Sequence, residues 1–272
     1  LANACLASLN AGDEIIIPAP YWPSYADIVR ICQAKLVVVP CTEATGFKLT
    51  PEQLEQAITP RTKWLLLNSP GNPSGAIYSR YEIKSLVNVL KSNPHVWIMA
   101  DEIYEHISYD PFTSLATTAP ELTDRTLTVN GVSKAYAMTG WRLGWCVVPD
   151  SLIEALERAA QNLYIAPSIV AQYAALAAYS PEGFGVSEER RTRFQRRRDL
   201  MCRGLCDAGL EVPLKPEGAI YLYANISSCG LDSETFSSRL IEEYRVAVTP
   251  GTDFGSHRAH EYVRFAYTAA ED

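Results

Sequence analysis

Residues 13–148 alternate between short apolar runs and amphipathic stretches, and a largely parallel sheet wrapped in helices is the arrangement that buries such a pattern. The strand-like runs lie at 13–18, 35–39, 63–67, 96–100, 125–129 and 143–148, each short and apolar. Helical stretches fall between them at 26–34, 49–57 and 80–91; the second is opened by Thr50 as N-cap with Pro51 at the first helical position. In a sheet of this kind ligands collect beyond the carboxyl ends of the strands, so the loops that follow the runs are the first places to look for chemistry.

The most informative of these loops runs Asn130-Gly-Val-Ser-Lys-Ala-Tyr-Ala-Met-Thr-Gly-Trp-Arg-Leu-Gly-Trp145. Its one lysine, Lys134, sits in a turn of small and apolar residues, where an ammonium group must find water or a partner. Arg142 follows between Trp141 and Leu143, where a second cation is costly unless it meets an anion. An apolar pocket with a neighbouring cation lowers the pKa of an amine and makes it a nucleophile toward carbonyls. An arginine beside it suits a phosphate, so the pair points to a phosphorylated aldehyde. A surface lysine and a structural arginine also fit this segment taken alone.

Three other loops carry candidates. Ala19-Pro-Tyr-Trp-Pro-Ser-Tyr25 places aromatics at a strand end, either as a stacking platform that includes Trp22 or as a plug over the core. Asn68-Ser-Pro-Gly-Asn-Pro-Ser-Gly75 holds Asn72 between Gly71 and Pro73, although a turn this rich in Pro and Gly is also plain punctuation. The run at 96–100 delivers Asp101-Glu-Ile-Tyr104. An aspartate after a buried strand needs a positive partner or a donor, and Tyr104 reaches the same side if the segment turns helically. A helix-capping aspartate beside a core tyrosine fits equally well. His106 reads as a local structural residue.

Beyond residue 150 the pattern changes. Helices are expected at 150–161, 168–178 and 187–208, the last very basic and read as a solvated face whose acidic neighbours argue against a nucleic-acid arm. Strands are expected at 218–224, 245–248 and 262–267, with a helix at 232–244, which makes a smaller α+β unit hinged about the long basic helix. Arg264 alternates away from Val263 and Phe265 and, taken alone, also fits an exposed strand position. Residues 1–10 read as the middle of a helix without an N-cap, so upstream sequence is expected.

Composition narrows the class. The 272 residues suffice for one large domain or two smaller ones, and 47% hydrophobic with 20% charged residues is ordinary for a globular protein. A net charge of −7 argues against nucleic acid or acidic membranes as partners. No apolar run spans a bilayer, so a soluble, cytoplasmic protein is expected. The seven cysteines and four histidines lack the spacing of a metal site, and reduced thiols are expected. Cys202 and Cys206 share a helical face but make a poor ligand set.

Together these segments resemble the class I/II aminotransferases, the fold-type I pyridoxal-phosphate enzymes related to aspartate aminotransferase. The likeness covers nearly the whole chain, with the motifs in the family's order, and is most specific over 131–144. It implies an α/β fold with a mostly parallel seven-stranded sheet in a large cofactor-binding domain, 1–186, and a smaller α+β domain, 187–272. It implies pyridoxal 5'-phosphate as cofactor, with Lys134 as the Schiff-base lysine and proton carrier. Asp101 would pair with the pyridine nitrogen, Asn72 and Tyr104 would hydrogen-bond the phenolic oxygen, and Trp22 would stack on the ring. Arg142 would hold the phosphate. Arg264 would grip the substrate α-carboxylate, near Asn72 and Trp22. The family's N-terminal arm, its glycine-containing loop and a tyrosine reaching the partner's phosphate have no counterpart here. The activity implied is amino-group transfer between an L-amino acid, aspartate in the branch it most resembles, and a 2-oxo acid, by a homodimer. A carbon–sulfur β-lyase of the same fold and an effector-sensing domain of a transcription regulator are the competing readings.

Overall fold

A computed structural model describes residues 1–270 of the chain. Its elements in order are α1 (Ala2–Ser8), β1 (Glu14–Ala19), α2 (Ser24–Ile31), β2 (Lys35–Pro40), α3 (Pro51–Ala57), β3 (Thr62–Asn68), α4 (Arg80–Lys91), β4 (Trp97–Asp101), α5 (Leu115–Thr118) and β5 (Thr126–Gly131). There follow β6 (Gly144–Val147), α6 (Asp150–Leu163), α7 (Ile169–Ala178), α8 (Pro181–Asp207), β7 (Tyr221–Asn225), α9 (Ser233–Tyr244), β8 (Thr249–Pro250) and β9 (Tyr262–Ala266).

The first sheet has the order β2-β1-β3-β4-β5-β6, parallel throughout except for the antiparallel β5–β6 pair. Six strands stand where seven were expected among the described residues, and β6 forms an edge whose four residues are all exposed. Alternate side chains of the inner strands feed two cores. Ile16, Leu65, Leu67 and Ile98 pack with Leu86 and Leu90 of α4, while Ile15, Ile17, Trp64, Leu66 and Met99 pack with Cys5 of α1 and Val29 of α2. Burial on both faces explains why these strands read as continuous apolar runs.

Local signals set the helix ends. Thr50 and Ser79 each close a capping box, with Gln53 and Glu82 respectively, so α3 and α4 begin where the caps place them. The long helix begins at Pro181, capped by the Ser180 hydroxyl, six residues before the expected start at 187. It is also less solvated than its charge implied. Arg198 is buried: its Nη1 donates to the Pro216 carbonyl at 2.7 Å, its side chain pairs with Asp199, and its guanidinium lies over the Tyr109 ring. The second sheet, β7-β9-β8, is antiparallel and packs Leu222, Val263 and Phe265 against Met201 and Leu205 of α8. The expected strand at 245–248 does not form. Arg245 caps α9 with a left-handed backbone (φ 62°), which turns the chain before it can extend.

The two sheets meet backbone to backbone. The amides of Glu217 and Gly218 donate to the Gly75 carbonyl at 3.0 Å each, and the Glu217 carboxylate accepts from the Ile77 amide at 2.8 Å. A Cβ on Gly75 would lie 2.6 Å from Pro216 Cβ, so only glycine admits this contact.

At the start of β1, away from the loops, Glu14 is fully buried. It accepts hydrogen bonds from Thr59 Oγ1 (2.5 Å), Lys35 Nζ (3.0 Å) and Arg61 Nη2 (3.1 Å). The Thr59 hydroxyl, with Lys35 and Arg61, holds its carboxyl at about 2 against an ordinary 4.5. A depressed folded-state pKa contributes stability that is full above the unfolded value and is lost as pH falls through the folded one. The expected result is that Glu14→Gln lowers the thermal midpoint near neutrality and loses less of it than the parent on acidification below about pH 4.5. Parallel midpoint curves for the two proteins would show that Glu14 is not the group involved.

Candidate active site

The carboxyl ends of β1, β3, β4 and β5 bring Trp22, Asn72, Asp101 and Lys134 toward one region, as a parallel sheet does with the loops that leave it. Asp101 closes β4 and is buried. Its Oδ2 accepts from the Tyr25 hydroxyl at 2.6 Å and its Oδ1 from the Ile103 amide at 3.2 Å. Burial pushes the Asp101 carboxyl up, against the opposing pull of the Tyr25 bond, the Ile103 amide and the Lys134 charge. Among the described residues no cation stands within ion-pair distance of it. Nothing local in the sequence marks Tyr25 as this partner, although its loop stands out for its aromatics. Trp22 is 40% exposed and meets the Tyr25 ring edge-on at 5.3 Å, so the platform residue braces the tyrosine that holds Asp101.

Lys134 is half-buried, its Nζ 5.8 Å from the centre of the Tyr104 ring. No carboxylate pairs with it among the described residues, and its turn is held from behind. The Ser187 hydroxyl (3.1 Å) and Arg190 Nη1 (2.8 Å) both donate to the carbonyl of Ala135. Arg191 does the same for the Ser108 carbonyl, beyond Tyr104, at 3.2 Å. The basic helix α8 therefore acts as a brace for two site loops. Arg142 is exposed, with a left-handed backbone (φ 54°), and its Nη1 donates to the Thr139 carbonyl at 2.8 Å. It lies on the lysine turn without a carboxylate partner among the described residues.

Asn72 is buried and locked by its own loop, its amide donating to Asn68 Oδ1 at 2.9 Å while Asn68 Nδ2 donates to the Asp101 carbonyl at 2.9 Å. From the second sheet, Arg264 Nη1 donates to Asn72 Oδ1 at 3.0 Å and Nη2 to Thr249 Oγ1 at 3.0 Å. Its Nε is buried and has no hydrogen-bond partner among the described residues. The guanidinium lies between two rings, 4.2 Å from the centre of Tyr221 and 4.8 Å from that of Phe254. Tyr104 is buried and donates to the Tyr221 hydroxyl at 3.0 Å. Burial, with Tyr221 beside it, pushes the Tyr104 phenol well above its ordinary value. The structure thus brings together six of the seven sequence candidates and leaves Arg142 exposed, bonded to its own turn. It adds Tyr25, which lies in the aromatic loop 19–25, and Tyr221, Thr249 and Phe254, which carry no local signal.

These features fit a phosphorylated pyridine aldehyde with an amino-acid substrate. A buried carboxylate held only by neutral donors and a distant lysine suits a protonated ring nitrogen, and an amine without an ion pair suits an aldehyde. An unpaired arginine suits a phosphate, and a buried guanidinium with an orphaned Nε suits a carboxylate.

Comparison with known proteins agrees. The profile of the family described as aminotransferase class I and II matches residues 1–272. The chain is 46% identical to an aspartate aminotransferase of Rhizobium meliloti, over 100% of this chain and 68% of that protein. It is 49% identical to an aspartate/prephenate aminotransferase of Cereibacter sphaeroides, over 100% of this chain and 70% of that protein. The crystal structure of the aspartate aminotransferase from Rhizobium meliloti superposes with a TM-score of 0.91, covering 99% of this chain and 70% of that one. An aromatic aminotransferase from Pyrococcus horikoshii, 36% identical, gives 0.93, covering 99% of this chain and 72% of that one.

Proposed function

The chain belongs to the class I and II aminotransferase family, whose members use pyridoxal phosphate, and on that premise we propose that it exchanges the amino group of L-aspartate with a 2-oxo acid. The observation that carries the reading is the pair of mismatched buried charges: Asp101 held only by neutral donors, and Arg264 with an orphaned Nε. Aspartate as substrate rests on the names of the Rhizobium and Cereibacter relatives. Those names, and the matched profile, favour transamination over β-elimination or effector sensing.

When bound, the cofactor supplies an electron sink for the carbanion left when the substrate α-proton departs. Asp101 keeps its ring nitrogen protonated, because a buried carboxylate without a cation favours a charged donor. Asn72 and Tyr104 would donate hydrogen bonds to its phenolic oxygen, and Trp22 would cover its ring. Arg142 would hold its phosphate. Lys134 would hold the cofactor through its aldehyde, and its Nζ, which makes no ion pair among the described residues, would serve as the base for the substrate α-proton. Arg264 orients the substrate α-carboxylate as a bidentate fork, with Asn72 and Trp22 beside it.

The two sheets support a division into a cofactor-binding unit, 1–186, and a smaller unit, 187–272, whose boundary falls inside α8. A homodimer is proposed on the exposed apolar surface of Ile165, Ile169, Val170, Tyr173 and Leu176. No helix among the described residues is long and apolar enough to cross a membrane.

The test is spectroscopic. A visible band should form on adding pyridoxal phosphate, move to shorter wavelength with L-aspartate, and return on adding the corresponding 2-oxo acid. A band that answers to L-phenylalanine or L-alanine and not to L-aspartate would keep the reaction and overturn the substrate. Absence of any band would count against the reading of Lys134.

A further inference from the structure

Tyr221 opens β7 in the second sheet, yet its side chain reaches two groups of different function. Its hydroxyl is 3.0 Å from that of Tyr104, which belongs to the loop after β4 in the first sheet. The two rings meet edge-on at 5.9 Å. Its own face lies 4.2 Å from the Arg264 guanidinium carbon, with Phe254 on the other side at 4.8 Å. Tyr221 is buried, so neither contact competes with bulk water.

The physical consequences separate cleanly. A guanidinium between two rings keeps its plane while its edge stays free to donate, and such cation–π contacts strengthen when desolvated. A hydroxyl has one proton and two lone pairs. Tyr221 can therefore donate to Tyr104 Oη and leave the Tyr104 proton for another acceptor, or accept from it when none is present. Among the described residues the charged and titratable groups acting on Tyr104 are Tyr221, Asp101, Arg264, Tyr25 and Lys134, and of these Tyr221 is the one hydrogen-bonded to it.

We propose that Tyr221 is a positioning residue for the site, its ring fixing the plane of the carboxylate-binding Arg264 and its hydroxyl fixing Tyr104. This rests on the aminotransferase reading for the roles of Arg264 and Tyr104, but not for their placement. One side chain of the small sheet then sets both the carboxylate fork and the group that meets the cofactor's phenolic oxygen.

Two variants divide the roles. Tyr221→Phe keeps the ring and removes the hydroxyl, whereas Tyr221→Met keeps apolar bulk without an aromatic face. In the holoenzyme, Tyr221→Phe should bind succinate, a non-reactive dicarboxylate, within about twofold of the parent while shifting the pH midpoint of the visible band. Tyr221→Met should weaken succinate roughly tenfold, as loss of a desolvated cation–π contact implies. An unmoved midpoint in Tyr221→Phe, or unchanged succinate affinity in Tyr221→Met, would overturn the corresponding half. Crystal structures of both variants without cofactor test placement independently of any band. Arg264 should leave Thr249 and Asn72 in Tyr221→Met, and the Tyr104 hydroxyl should shift in Tyr221→Phe. Both groups staying in place would overturn the proposal, whereas a parent without a visible band would count against the aminotransferase reading alone.

Discussion

Lys134→Ala is expected to remove amino-group transfer, with kcat falling by at least roughly 10²–10⁴-fold, the range a positioned proton carrier supplies. The fold should survive. The lysine makes no ion pair among the described residues, and its turn is held through the Ala135 carbonyl by Ser187 and Arg190, which the substitution leaves alone. Asp101 and Tyr25 are also untouched, so the variant should still take up pyridoxal phosphate, though without the parent's visible band. Circular dichroism and thermal melting would establish folding, and a coupled assay would establish the loss. Turnover at the parental rate would remove Lys134 from the mechanism and with it the reading of its loop.

Arg264→Lys should raise the KM for L-aspartate about 30-fold, which corresponds to about 2 kcal/mol, while leaving the cofactor dissociation constant within a factor of about two. A lysine is a point charge. It cannot keep bonds to Asn72 Oδ1 and Thr249 Oγ1 while offering a planar fork to a carboxylate, and it loses the contact with both rings. Equal weakening of cofactor and substrate would point instead to collapse of the region around β9. An unchanged KM would place the carboxylate elsewhere.

What the sequence disclosed and what it hid follow from distance along the chain. Lys134, Asp101 and Asn72 sit in short segments whose composition departs from their surroundings, so a local reading finds them. The partners that orient them are remote. Tyr25 reaches Asp101 across 76 residues and Tyr221 reaches Tyr104 across 117, and no pattern within a helix or strand announces either contact. The arginines of α8 are less solvated than their charge implies for a related reason. A run of charges implies a solvated face only if nothing packs on it, and here Arg198 finds Pro216 and Tyr109 while Arg190 and Arg191 find carbonyls of two loops. The expected strand at 245–248 has β-branched residues, but the left-handed Arg245 turns the chain and pairing with β9 begins at Thr249. The open edge of β6 leaves the sheet at six described strands, since pairing partners are not encoded in a strand's own residues.

The contact between Gly75 and the Pro216–Gly218 segment also governs how wide the site can be. Asn72 stands three residues before Gly75, and β7, which follows Gly218, carries Tyr223 opposite Arg264 in register. Any side chain at position 75 would act as a wedge, its Cβ 2.6 Å from Pro216 Cβ and 2.7 Å from the Gly218 carbonyl oxygen. Prising that joint apart would carry β7 and β9 away from the asparagine loop and open the 3.0 Å bond between Arg264 and Asn72. Two residues without side chains thus calibrate the aperture into which an amino acid must fit, though neither touches it.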